Sequence, residues 1–162
     1  MSHTHTATPA TGQAQSSRLA RIRVSSLGAV IMLLIEFILG IVYNLYGTAP
    51  TAKKSVGLFS SPVIALHVIV AILLVIAAVG QLVRAIGTRH RLTIWMSAVG
   101  LVAILAAGFA GTGFAGNGAA GASLGMALAF AVALAAYVVL VFALPSSSTT
   151  PPSATTPPSS TT

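Results

Sequence analysis

Four apolar runs, each more than 20 residues long, occupy most of this 162-residue chain. They cover approximately residues 24–46, 62–83, 92–112 and 120–144. An α-helix rises 1.5 Å per residue, so about 20 apolar residues cross the ~30 Å hydrocarbon core of a bilayer. The runs therefore predict an all-α fold over residues 18–144, an integral membrane four-helix bundle.

Charged side chains make up only 6% of the chain, whereas apolar residues make up 56%. An ordinary soluble domain has about 25% charged residues. This composition excludes a soluble enzyme, a nucleic-acid-binding domain and a disordered protein. The absence of cysteine also excludes a disulfide scaffold and a thiolate metal site. Because the sequence has neither a nucleotide motif nor a cluster of catalytic residues, we expect a protein that is not an enzyme.

Polar segments of low complexity flank the apolar runs. Residues 1–17 are small and polar, and residues 145–162 are rich in Ser, Thr and Pro. Neither segment can bury enough apolar surface to fold, so we predict a disordered lead and a disordered tail. The first apolar run is longer than the apolar region of a signal peptide, which has about 7–15 residues, and this predicts a retained membrane helix.

The eight basic residues predict the orientation of the chain. Two of them, Lys53 and Lys54, lie between the first and second runs. The other six precede the first run or separate the second from the third: Arg18, Arg21, Arg23, Arg84, Arg89 and Arg91. The positive-inside rule then places both termini in the cytoplasm, in a multi-pass protein of the plasma membrane. In a membrane protein, the net charge of +7 indicates orientation and lipid contact, with no nucleic acid as partner.

Glu36 is the only acidic residue, and it lies in the middle of the first apolar run. An ionisable side chain there costs about 2.5–3.5 kcal/mol on insertion scales, so such residues usually face the bundle interior. Gly40 and Tyr43 share the helix face of Glu36, and Asn44 lies about 80° round from it. The interpretations that we leave open for Glu36 are a structural hydrogen bond, a proton relay or ion site, and a ligand contact.

His67 is the only histidine inside an apolar run. Four further residues follow His67 at helical spacing, so they share its face of the second helix: Ala71, Leu74, Ala78 and Gln81. We predict that this face points into the bundle. Counting from the helix ends places His67 level with Gly40, about 6 Å from Glu36 along the bundle. A direct Glu36–His67 bond is therefore expected only if the helix boundaries slip, or through water. The predicted buried polar site consists of Glu36, Tyr43, Asn44 and His67.

Counting residues from the helix ends places Met126 at the same depth in the bundle as His67. One His with one Met is a ligand set known for haem. Haem b held by His67 and Met126 is thus one alternative; otherwise we expect no cofactor and no metal.

Small residues let membrane helices approach closely, and they occur at four-residue spacing in the fourth run. The residues predicted to support helix packing, or contacts between copies of the chain, are Gly40, Gly121, Gly125 and Ala129.

The segments EFILGIVYNLY and LHVIVAILL, the Ala/Gly/Val-rich helices and the Pro/Ser/Thr tail resemble small four-helix integral membrane proteins of actinobacteria. The resemblance covers residues 18–144 by layout and composition, and it implies the four-helix fold without any catalytic motif. We predict a non-enzymatic accessory or structural subunit of a larger membrane assembly, with lipid, a membrane protein or further copies as partners. The alternatives are a proton-linked small transporter or channel acting as an oligomer, and an electron-transfer protein with b-type haem.

Overall fold

The computed structural model describes residues 10–47, 50–51, 53–57 and 59–144, with side chains from residue 17 onwards. The described chain forms four α-helices, α1 (Ala10–Tyr46), α2 (Pro62–Thr88), α3 (Arg91–Asn117) and α4 (Ala120–Ala143). All four are long and apolar enough to cross a membrane, and in α1 the apolar part is Ser17–Tyr46. The prediction of an all-α protein with four long apolar helices is therefore confirmed.

The helix ends follow local signals in the sequence. Pro62 opens α2, and the Ser61 side chain caps this helix by accepting a hydrogen bond from Ile64 N at 3.3 Å. Arg89 ends α2 in the left-handed conformation with φ 54°, and its N–H donates to the carbonyl of Ile86. Gly118 ends α3 in the same way with φ 70°, which is a conformation that glycine adopts without strain.

The helices are longer than the apolar runs that predicted them. Residues 10–17, predicted to belong to a disordered lead, are part of α1, which corrects that boundary. Two other helices extend past their predicted ends, α2 from 83 to 88 and α3 from 112 to 117. Hydropathy identifies only the part of a helix that suits hydrocarbon, whereas the backbone hydrogen bonds continue until a residue interrupts them. The remainder of the predicted lead, 1–9, and the predicted tail, 145–162, lie outside the described residues.

The helices pack in a ring in chain order. Helix α1 contacts α2 and α4, and α3 contacts the same two helices; within the described residues, diagonal helices make no contact. The most extensive interface joins α3 to α4. Neighbouring helices run antiparallel, so the α2–α3 turn and the beginning of α1 share one end of the bundle. This end carries the six arginines and is called the arginine end; the other carries Lys53 and Lys54 and is called the lysine end.

Burial is uneven along the bundle. Phe37 of α1 stacks on Phe130 of α4, with ring centroids 5.3 Å apart, so these two residues lie at the same depth in the bundle. We define the lysine-end half as the helix segments 37–46, 62–71, 105–117 and 120–131. None of these described residues is buried, and every buried helix residue, Glu36 included, lies in the remaining arginine-end half. Fully buried helix residues are therefore confined to the arginine-end half, whereas the described lysine-end half packs through partly buried side chains.

The α1–α2 loop packs against the α3–α4 turn at the lysine end. Val56 N donates a hydrogen bond to the carbonyl of Ala115 at 2.9 Å. Pro50 is buried, and its carbonyl lies so close to Gly118 that a side chain there would collide with it. Glycine is thus needed at position 118 both for its backbone conformation and for this close approach.

Candidate functional site

Glu36 of α1 and His67 of α2 form an ion pair between carboxylate Oε2 and imidazole Nδ1. The Glu36 side chain is 8% exposed, and the His67 side chain is 37% exposed. The contact joins the only acidic residue of the chain to the only histidine inside the predicted apolar runs. Two members of the predicted polar site therefore meet directly, at the boundary between the two halves of the bundle.

This direct contact differs from the expectation that the two side chains are offset along the bundle, although α1 ends and α2 begins where predicted. Gln81 Nε2 donates to Ser26 Oγ at 2.7 Å. Ser26 lies 14 residues before Gly40 and Gln81 lies 14 residues after His67, so this bond keeps the predicted register. The expectation was wrong because the lean towards the helix N-terminus describes the Cα–Cβ bond. Beyond Cβ, the rotamers of two long side chains close a gap of about 6 Å, one helical turn.

Each member of the pair keeps an unused polar position. Glu36 Oε1 is buried, and nothing among the described residues donates a hydrogen bond to it. Nδ1 of His67 is buried against the carboxylate, while the His67 side chain as a whole is 37% exposed. The pair therefore joins a buried carboxylate to a partly exposed imidazole, and Glu36 Oε1 can accept a further hydrogen bond.

The other two residues of the predicted polar site lie away from the pair. The ring of Tyr43, which is half-buried, lies over Gly47, one turn further towards the lysine end. Asn44 is exposed, so its inclusion in a buried site was wrong. Its position about 80° from the face of Glu36 explains this, because a rotation of that size takes a side chain off the inward face of a helix.

The sulfur of Met126 packs on α3 instead of facing α2. It lies 3.5 Å from the position that a Cβ would take at Gly111. Helices α2 and α4 are diagonal in the bundle and make no direct contact in the described part of the chain. Met126 and His67 therefore lie on diagonal helices of the bundle. Among the described residues, no group of three or more His, Cys, Asp or Glu could hold a metal ion.

The small residues predicted to support packing have different surroundings. A Cβ at Gly125 would contact Ala110 of α3 at 3.8 Å, so Gly125 lies on the α3–α4 interface. A Cβ at Gly40 or Gly121 would meet no atom within 4 Å, and Ala129 is half-buried. Gly40 lies one turn from Glu36, so there is open space beside the ion pair on its lysine-end side.

The predicted inward face of α2 is confirmed, because Leu74, Ala78 and Gln81 are buried. Sequence reasoning did not assign Gln81 its partner Ser26, whose own hydroxyl donates to the carbonyl of Ile22 at 2.9 Å. Serine and glutamine on inward faces would have indicated an interhelical bond, but not which two residues form it.

Sequence reasoning also missed a buried polar group between α3 and α4. Tyr137 is fully buried, and its ring lies 2.8 Å from the Cβ position of Gly100. Neither the Tyr137 hydroxyl nor Ser97 Oγ has a hydrogen-bond partner among the described residues. Thr93, one turn before Ser97, is also buried, and its Oγ1 contacts His90 Nδ1 at 3.0 Å. The spacing of Thr93, Ser97 and Gly100 on one face was the available signal.

A comparison of the chain with protein-family models, with curated proteins and with solved structures gives no significant match to any of them. The function is therefore inferred from the geometry of the Glu36–His67 pair and its surroundings.

Proposed function

We propose that this chain is a multi-pass protein of the plasma membrane in which the Glu36–His67 pair binds and releases a proton, as part of a proton-linked transporter or channel. The observation that supports this proposal is the direct contact of Glu36 with His67 among long apolar helices. Ionisable groups at such positions are costly, and in membrane proteins they typically mark proton and ion pathways. Imidazole is the side chain that most readily gains and loses a proton near neutral pH.

The net charge of the pair is zero only when the two side chains together hold one proton. With one proton shared, the pair is neutral overall, whether as carboxylate with imidazolium or as carboxylic acid with imidazole. A second proton leaves a net charge of +1, and loss of the only proton leaves −1. Either net charge is unfavourable in a site enclosed by apolar helices.

The orientation that we propose places the arginine end in the cytoplasm, with both termini. Six arginines at one end against two lysines at the other support it. The chain has no cysteine, so a single introduced cysteine is the only site that a maleimide can label on a thiol. A membrane-impermeant maleimide added to intact cells is expected to label Lys53→Cys and not Arg89→Cys. The reverse pattern would contradict this orientation.

Proton flux through reconstituted protein tests the proposed function. We expect liposomes with the wild-type chain to dissipate an imposed pH gradient, measured with an internal pH dye. Glu36→Gln and His67→Gln should abolish this flux, because each removes one partner of the pair. Thr112→Val is the matched control, since the exposed Thr112 hydroxyl bonds only the carbonyl of Phe109 in its own helix. Its flux should equal that of the wild type.

A wild-type flux that persists in Glu36→Gln would remove the pair from the mechanism. The same conclusion would follow if the wild type showed no flux and no proton uptake on a pH jump.

An accessory subunit of a larger membrane assembly is the second candidate. The observation that favours it is an apolar groove on the α3–α4 surface, lined by Met96, Val99, Val132, Ala135, Ala136 and Val139. A groove of this kind can accept an apolar helix of another membrane protein. Purification in mild detergent distinguishes the candidates, since an accessory subunit should co-purify with a stoichiometric partner.

The haem alternative stays a prediction. A Soret band that disappears in His67→Ala would support it, and a colourless preparation made with adequate haem supply would remove it.

A further inference from the structure

The Glu36–His67 pair borders open space on the lysine-end side. A Cβ at Gly40, one turn from Glu36, would meet no atom within 4 Å. Beyond Glu36, the described helix residues of the lysine-end half contain no buried position. The buried carboxylate oxygen Oε1 has no hydrogen-bond partner among the described residues. The pair therefore borders open space at Gly40 and has a buried carboxylate oxygen that no described residue engages.

The charge balance of the pair selects the sign of a group bound beside Oε1. Glu36 is the only anionic side chain in the chain. When the shared proton leaves, the site is left with one uncompensated negative charge among apolar helices. A cation at Oε1 restores neutrality, whereas an anion or a neutral molecule does not. Proton and cation thus compete for the same negative charge.

The groups around the space are poor ligands for a metal cation. Hard cations take six or more oxygen ligands, and helical carbonyls are already engaged in backbone hydrogen bonds. The side-chain oxygens of α3 and α4 in this half belong to Thr112, Asn117 and Ser123. Thr112 and Asn117 bond the backbone near their own positions. The remaining side chains of these two segments are apolar, which suits a ligand with an apolar body.

Few other charged or titratable groups face the pair. Helix α1 contributes Tyr43 two turns beyond Glu36, and α2 contributes only His67 between residues 62 and 71. The segments 105–117 of α3 and 120–131 of α4 contain no titratable residue. Lys53 and Lys54 are exposed in the α1–α2 loop at the lysine end. Proton exchange in this half is therefore dominated by Glu36 and His67.

We infer that the pair exchanges its proton for one monovalent organic cation with an apolar body, bound beside Glu36 Oε1 in the space next to Gly40. The inference rests on the proposed proton-linked function and specifies the substrate class of the same site. One proton leaves the imidazole for the lysine-end side as one cation enters, so the charge of the site stays balanced. No covalent bond forms or breaks.

Binding of tetraphenylphosphonium to the purified full-length protein tests this inference. Because one proton is exchanged for one cation, binding should tighten by about tenfold per pH unit over the range in which the site holds its proton. Tetraphenylborate has the same shape and the opposite charge, so it should show no Glu36-dependent binding. Glu36→Gln should abolish tetraphenylphosphonium binding, with circular dichroism and size-exclusion elution verifying the fold.

A second pair of variants keeps the test decisive if Glu36→Gln does not fold. Gly40→Leu fills the space beside the pair and leaves both of its members intact, so it should weaken tetraphenylphosphonium binding at least tenfold. Gly121→Leu is the matched control, because its Cβ also meets no atom within 4 Å, and it should bind like the wild type.

Binding that is independent of pH, or unchanged in Gly40→Leu, would overturn the inference. Glu36-dependent proton flux measured without any organic cation, combined with no binding of tetraphenylphosphonium, would overturn the inference and leave the proposed function intact. Absence of Glu36-dependent proton flux both without and with tetraphenylphosphonium in the liposomes would instead contradict the proposed function.

Discussion

The two halves of the bundle are built from similar apolar helices, yet only one contains fully buried helix residues. In the arginine-end half each helix contributes buried residues, and Ser26 and Gln81 form an interhelical hydrogen bond. In the lysine-end half no described helix residue is buried. Complementary side-chain sizes explain the burial in the arginine-end half, since the Tyr137 ring packs against Gly100, which has no side chain.

This difference separates stability from function within one bundle. Dispersion contacts and interhelical hydrogen bonds, which hold membrane helices together, are concentrated at the arginine end. The Glu36–His67 pair lies at the boundary between the two halves, with Glu36 buried and His67 partly exposed. Substitutions in the two halves should therefore have different consequences.

The largest effect on stability is expected from Tyr137→Ala in the arginine-end half. Tyr137 is fully buried, and its removal leaves a cavity between α3 and α4. Truncation of a buried aromatic side chain costs about 3–5 kcal/mol. The free energy of unfolding, measured by SDS titration from detergent micelles, should fall by that amount. Phe109→Ala, at a 77% exposed aromatic residue in the lysine-end half, should change it little.

Gly100→Ala should have the next largest effect. Its Cβ would lie 2.8 Å from two ring atoms of Tyr137, so the fully buried ring would have to shift. Overpacking of this kind costs about 1–3 kcal/mol. Gly121→Ala is the control in the lysine-end half, and it should unfold like the wild type in the same SDS titration. Equal stability of the two variants would show that packing does not differ between the halves.

Ser26→Ala should cost about 1 kcal/mol, because it leaves the buried amide of Gln81 without its acceptor. Replacing both partners, in Ser26→Ala with Gln81→Leu, should be less destabilising than Ser26→Ala alone. Ser25→Ala is the control, since its contact with Arg84 Nη1 is exposed and 3.4 Å long. The prediction fails if the double variant is the least stable of the three in SDS titration.

The smallest effect is expected from Tyr137→Phe. The tyrosine hydroxyl has no hydrogen-bond partner among the described residues, so its removal loses no bond and relieves a buried polar atom. Unfolding free energy should change by less than about 0.5 kcal/mol, or increase. A loss of more than about 1 kcal/mol would show that the hydroxyl is bonded in the folded protein.

The number of helices and the start of α2 could be predicted, because hydropathy and the Ser61–Pro62 signal are properties of a short segment. The inward face of α2 could be predicted from helical periodicity, as Gln81 shows. The beginning of α1 could not, since residues 10–17 are polar and carry no apolar period. Asn44 was misassigned because nearness in sequence was given more weight than its angle around the helix.

Four long apolar helices with one acidic side chain among them, and six arginines and two lysines at opposite ends, can be predicted from the residues alone. These properties follow from hydropathy, helix rise and residue order, which do not depend on neighbouring helices. The packing of the helices, in contrast, brings Glu36 to His67, places Tyr137 on Gly100 and leaves the lysine-end half without fully buried helix residues. Such contacts depend on the rotation of each helix about its axis and on side-chain rotamers, and both are set by the partner helix rather than by the segment that carries the residue.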